Sequence, residues 1–338
     1  MLLKKQVIAN SPAPYSVNTF HLKEKMFIGV GSEGPHPSFL IDLSNNNIVK
    51  VSDGPGGTMC LSPALINDTD LISVMGMFPP FVGMDAGVYV HSLKSGVWCT
   101  RKILTLPFAH RCEILNKMGT YYLFLSSVSK EKSHPDDWSN PGELYVIPVN
   151  MLSPLENFGK PLLNNVTRNH GMIKTHIGGN ESVCISGSEG IIAVLPDNKA
   201  AWRTEILFDK EVSEFEFYDI DNDCKNELIT IEPFHGNSLN IYKRSGNSWI
   251  HSYQAELSFG HGLSVGQFNE VPSIAVGSRG GDKSLLLFSV YDLKQNQIAK
   301  HVIEENAGPT QTRIFRHNSI DHILSSNQSK NEIALYTI

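Results

Sequence analysis

Two stretches of the chain repeat one another, and that repeat leaves few architectures open. Ser213-Glu-Phe-Glu-Phe-Tyr-Asp-Ile-Asp221-Asn, followed by Glu227-Leu-Ile-Thr-Ile, aligns with His261-Gly-Leu-Ser-Val-Gly-Gln-Phe-Asn269-Glu, followed by Ser273-Ile-Ala-Val-Gly277. Each continues through a polar loop into a second apolar pair, Ser238–Tyr242 with Trp249–Tyr253 and Ser284–Phe288 with Ile298–Val302. Short apolar or alternating runs bounded by turn residues read as β-strands, four to a unit. Weaker copies begin near Pro14, Met59, His110, His170 and Thr310. Seven units in 338 residues are about 48 residues each, the size of a four-stranded propeller blade. Helical periodicity is nearly absent; Asp136–Asn140 and Leu152–Phe158 are too short to count.

The two ends complete the pattern. The last copy stops at Glu332-Ile-Ala-Leu-Tyr-Thr-Ile338, a third strand with no fourth, and Leu2–Ala9 reads as an orphan fourth strand ahead of the first unit. Joining them closes the structure and removes exposed sheet edges. The expected fold class is therefore all-β: a single seven-bladed β-propeller over 1–338. Its approximate blades are 11–57, 58–107, 108–166, 167–211, 212–258, 259–306 and 307–338 plus 1–10.

Composition narrows the function classes. Lys and Arg number 28 against 34 Asp and Glu, a net charge of −6 without basic runs, which argues against a nucleic-acid partner because phosphates need clustered cations. No apolar stretch approaches the roughly 20 residues of a membrane helix, so no membrane partner is expected. The segment 1–17 holds two lysines with no apolar run of signal length behind them. Five widely spaced cysteines (Cys60, Cys99, Cys112, Cys184, Cys224) form no C-x-x-C pair, and reduced thiols in a cytoplasmic protein are the simplest reading. Gly29-Val-Gly31-Ser-Glu-Gly34 spells G-x-G-x-x-G, but Pro35 and Pro37 follow, so no helix opens there to cradle a phosphate.

Asp219-Ile-Asp221-Asn-Asp223-Cys-Lys-Asn-Glu227-Leu resembles the D-x-D-x-D-x-x-x-D loop of FG-GAP/VCBS-type propellers, and His261-Gly-Leu-Ser-Val-Gly matches a strand start common in that group. The histidine–glycine starts and histidine-rich loops are also similar to the propeller domain of aldos-2-ulose dehydratase and related sugar lyases. The resemblance implies the propeller fold and a carbohydrate substrate. It also implies calcium for the acidic loop, although Asn222 and Cys224 replace the usual glycines and a plain acidic turn is the simpler account.

In a propeller, the starts of the innermost strands and the loops between second and third strands gather at one end of the channel. At the strand starts this chain offers His110, His170 and His261; the loops add His36, His134, Glu189, Glu232, His235 and Arg279. Imidazoles on separate rigid strands suit a divalent metal such as Zn or Mn, so His110, His170, His235 and His261 are the expected ligands. Two other accounts stay open: the histidines as metal-free acid and base, or as packing residues whose imidazoles bond a neighbouring backbone. Glu232 and His134 are the acid/base candidates. Arg279 and Arg111 are candidates to neutralise a substrate carboxylate, Arg111 the weaker because it neighbours His110 on one strand and points away.

The loop Ser126–Gly142 is the longest insertion, and its Trp138 and Asp137 are expected to bind sugar, by stacking and by accepting hydroxyl hydrogen bonds. Cys112, beside the proposed site, reads as a buried structural thiol. The apolar loop Met75–Gly87 either lines a pocket or packs on a partner. The function expected is a metal-dependent carbohydrate lyase, dehydratase or isomerase acting next to a sugar carbonyl. The alternative is a non-enzymatic propeller module that binds protein or glycan.

Overall fold

The computed structural model describes residues 3–65, 67–79, 82–149, 159–197, 201–246 and 248–338. Leu152–Phe158 lies outside them. The architecture is a seven-bladed β-propeller: seven antiparallel sheets of four strands each. The chain divides into two compact units, Asn18–Glu211 and Met1–Val17 with Val212–Ile338. The opening strand β1, Lys4–Asn10, belongs to the second.

The first unit carries four sheets. They are β2–β5 (Pro14–Leu22, Lys25–Ser32, Ser38–Asp42, Ile48–Ser52) and β6–β9 (Cys60–Pro63, Leu71–Met75, Gly87–Lys94, Val97–Thr105). Next come β10–β13 (Ala109–Lys117, Thr120–Ser127, Gly142–Pro148, Leu163–Val166) and β14–β17 (Met172–Ile177, Asn180–Gly187, Gly190–Pro196, Trp202–Phe208). Burial follows position in the sheet: β16 is buried at every residue but its last, whereas the outermost β17 leaves four consecutive residues, Arg203–Ile206, exposed. A strand covered on both faces reads as a continuous apolar run, and an outer strand does not. Between the third and fourth sheets Phe124, Leu144, Val166, Val183, Ile185 and Val194 form one cluster.

The second unit carries β18–β21 (Glu214–Tyr218, Glu227–Glu232, Ser238–Ser245, Ser248–Glu256) and β22–β25 (Gly260–Phe268, Val271–Ser278, Leu285–Asp292, Gln297–Glu304). The last sheet combines β26–β28 (Pro309–His317, Ile320–Asn327, Glu332–Thr337) with β1, in the order β1-β28-β27-β26. Ile229, Ile231, Ile241, Ile274, Val276 and Phe288 fill the space between the first two sheets. Each such side chain contributes about 2 kcal/mol through burial.

The closing strand is paired as its sequence predicts, from Lys4 opposite Thr337 to Asn10 opposite Glu332, with a bulge between Val7 and Ala9. Ions pin the seam: Lys5 bonds Glu304 and Glu332, and Lys330 and the Tyr336 hydroxyl also bond Glu304. Burial pushes the Glu304 carboxyl up, but the hydrogen bonds from Lys330, Lys5 and Tyr336 outweigh it, and the group ionises below the ordinary range. Its stabilisation is present above the unfolded value of about 4.3 and is lost as pH falls through the lower folded value. Glu304→Gln is therefore expected to lower the melting temperature at neutral pH, with the gap from wild type narrowing in acid melts.

Candidate active site

In the first unit His110 and His170 come together. His110 is the second residue of β10, where a bulge between Ala109 and Arg111 shifts the register. His170 lies two residues before β14. Both are 2% exposed, and their ring centroids are 4.7 Å apart at a 37° tilt. The turn before β14 is tied down by Gly171, whose N–H donates to the Ser186 hydroxyl at 3.1 Å. Near it, Arg168 bonds Glu211 at 2.8 Å and its guanidinium lies 5.4 Å from the Trp138 ring.

The other candidates of this unit have local partners. Lys132 sits over the Trp138 ring, its Nζ 3.4 Å from the centroid. The Asp137 carboxylate accepts four hydrogen bonds, from the N–H and hydroxyl of both Ser133 and Ser139. Those bonds hold it well below the usual carboxylate range. His134 is exposed at the same turn, its carbonyl accepting the Asp137 N–H. Arg111 turns aside and donates to the Met59 carbonyl at 2.8 Å. Glu189 accepts the Thr167 N–H at 2.9 Å.

In the second unit His235 and His261 stack, centroids 5.0 Å apart and planes at 26°. His261 is the second residue of β22, again at a register shift, between Gly260 and Leu263. Gly262 follows because a Cβ there would stand only 3.0 Å from the Gln311 backbone. His261 is 1% exposed, and its Nδ1 lies 2.6 Å from the Thr310 carbonyl oxygen. A carbonyl only accepts, so Nδ1 carries the proton and the lone pair is on Nε2. The Tyr15 hydroxyl stands 3.4 Å from that nitrogen.

His235 occupies a tight turn with left-handed backbone, φ 47. Its ring is flanked by Phe234 at 4.0 Å and Phe259 at 4.7 Å. Arg279 donates to Gln328, its guanidinium 5.9 Å from the Phe259 ring. The Glu232 carboxylate accepts from the Thr230 and Tyr242 hydroxyls.

Among the residues not singled out as site candidates from sequence, Tyr15, Thr310, Phe234 and Phe259 stand beside the imidazoles. Tyr15 and Thr310 occupy the same strand-start position as the histidines, which is the signal that could have found them. The aromatic flanks of His235 gave none.

No protein-family model matches the sequence, and no curated protein matches it. Solved structures do match it. Their likeness is one of fold. Sqt1 of Saccharomyces cerevisiae superposes with a TM-score of 0.60 at 9% identity, over 96% of this chain and 83% of that one. A candidate 6-phosphogluconolactonase from Bacteroides uniformis gives 0.54 at 7% identity, over 96% and 95%. A glucose dehydrogenase gives 0.50 at 12% identity, over 99% of both chains. At such identities the match establishes architecture and leaves chemistry to the residues themselves. Among the described residues no helix is long and apolar enough to cross a membrane.

Proposed function

We propose that this propeller is a metal-dependent carbohydrate enzyme, a lyase, dehydratase or isomerase that takes a proton from the carbon next to a sugar carbonyl. The observation that carries the proposal is His261. Its Nδ1–H is committed to the Thr310 carbonyl, which fixes the tautomer and leaves Nε2 as a rigid donor, the arrangement a metal-binding histidine requires. His235, stacked on it, is the second ligand of this unit, and His110 and His170 are the ligands of the other. A divalent metal, Zn or Mn, would polarise the substrate carbonyl.

The side chains around the imidazoles supply the rest. Phe259 is 42% exposed and offers a stacking plane for a sugar ring. Arg279, steadied by Gln328, would neutralise a substrate carboxylate, and Arg168 could do so in the other unit. Trp138 could stack on a sugar if Lys132 withdraws. Glu232 and His134 remain the acid/base candidates, Glu232 held in place by the Thr230 and Tyr242 hydroxyls. The resemblance to FG-GAP/VCBS propellers and sugar lyases supports the same reading through Asp219–Glu227 and His261–Gly266.

The decisive measurement is the metal content of tag-free protein, for wild type, His170→Ala and His261→Ala. Transition metal lost in His261→Ala would bear out the ligands of the second unit, and metal lost in His170→Ala those of the first. No metal after reconstitution overturns the proposal. A metal-free enzyme would then be favoured by the Tyr15–His261 contact, a phenol facing an imidazole lone pair, and Tyr15→Phe would lower turnover by about 100-fold or more.

A further inference from the structure

Cys60 and Cys112 are 52 positions apart in the sequence, yet their sulfur atoms lie 3.5 Å apart. Cys60 opens β6 and Cys112 is the fourth residue of β10, the first strands of the second and third sheets. Arg111 holds these strands side by side through its bond to the Met59 carbonyl. Neither sulfur is in a disulfide. Cys112 also lines a cavity of about 220 Å³ shared with Asn18, Ser62, Glu113 and Lys174. Cys60 is itself partly exposed, so a small oxidant can reach it directly.

From this placement we infer that Cys60 and Cys112 form a reversible disulfide when the protein meets hydrogen peroxide. The Cys60 thiolate attacks one peroxide oxygen, the O–O bond breaks, and the departing oxygen leaves as water. The Cys112 sulfur then displaces the sulfenic hydroxyl as a second water and the S–S bond forms. The two thiols together give up two electrons and two protons. Closing the gap to a bond of about 2.05 Å asks each sulfur to move by less than a rotamer change provides. The division of roles follows exposure: Cys60 is partly exposed and meets the oxidant first, whereas Cys112 is buried 3.5 Å away and resolves the sulfenic acid. His110 lies two residues before Cys112 on β10, so the cross-link would also tether the strand that carries a proposed ligand.

The test uses the full chain with its two exposed cysteines removed, as Cys99→Ser and Cys224→Gly, the latter suited to a left-handed backbone at φ 64. Stoichiometric hydrogen peroxide should remove two titratable thiols of the remaining three and lower the intact mass by two hydrogens. Peptide mapping should join Cys60 to Cys112, and dithiothreitol should restore both thiols. In the same background Cys60→Ser should abolish the reversible loss; if that variant does not fold, the mapped peptide from the parent decides alone. Persistence of both thiols, a sulfinic acid on Cys60 without a cross-link, or a bond to Cys184 would each overturn the inference.

Discussion

Lys243→Met is expected to cost the protein about 2–3 kcal/mol, less than the full penalty for breaking a buried ion pair because about a quarter of the lysine side chain meets solvent. Lys243 reaches from β20 into the loop 219–227 and bonds Asp221, Asp223 (3.0 Å) and Glu227 (3.3 Å). The Glu227 side chain is 1% exposed and that of Asp221 is 8%. Burial pulls the lysine down, but those three carboxylates outweigh it, so it stays charged to above its ordinary value. Its contribution is therefore whole at neutral pH, and on the alkaline side it is lost only in strong alkali. Without it, Asp221 and Glu227 face one another with no cation between them. Chemical denaturation of wild type and variant gives the difference directly, and it should shrink in acid, where the carboxylates take up protons. Oxygens of Asp219, Asp221 and Glu227 lie within 4.8 Å of one another, so millimolar calcium should recover part of the loss in the variant and do little for wild type.

The second large effect is expected from removing residues 1–10. Burial of Ile8 and Ala9 alone is worth roughly 3 kcal/mol at about 25 cal/mol per Å², and Lys5 leaves Glu304 and Glu332 without their shared cation. The greater change is qualitative: β28, with Ile333, Ala334, Leu335 and Tyr336 buried, becomes an open edge able to pair with another chain. The truncated protein should melt lower and associate with increasing concentration on a sizing column. A synthetic peptide of residues 3–11 should bind it and reverse both changes, by restoring the missing strand. A monomer as stable as wild type would show that the seam is dispensable.

The fold was legible because middle strands are covered on both faces and so must read as unbroken apolar runs, as Ile191–Leu195 and Leu285–Phe288 do. Closure was legible because an odd strand at each end of a repeat has one natural partner. The first two copies were harder to read: β6 has four residues, too few for a period to show. Histidines at strand starts stood out because equivalent positions in a repeat can be compared. What they bond could not be read, since Thr310 meets His261 across 49 positions and no local spacing records that. The Cys60–Cys112 pair is invisible in one dimension for the same reason. Asp137 and Trp138 differ: their residue types suit sugar, but partners near in sequence, Ser133, Ser139 and Lys132, take them up. The left-handed backbone at Asn222 (φ 57) and Cys224 (φ 64) shows that the acidic loop keeps its turn where glycine is missing.

The pairing of β1 with β28 also sets a timetable. Lys5 finds its partner strand more than 300 positions later, so β1 is made long before its partner and is among the last strands to acquire a neighbour. Contacts of such sequence separation are slow to form, and during synthesis Val7 and Ile8 wait while whole sheets with local pairings assemble behind them. Completing the last blade is then the step that commits the molecule, and it should be the step most sensitive to chaperone capture and to loss of either β1 or β28.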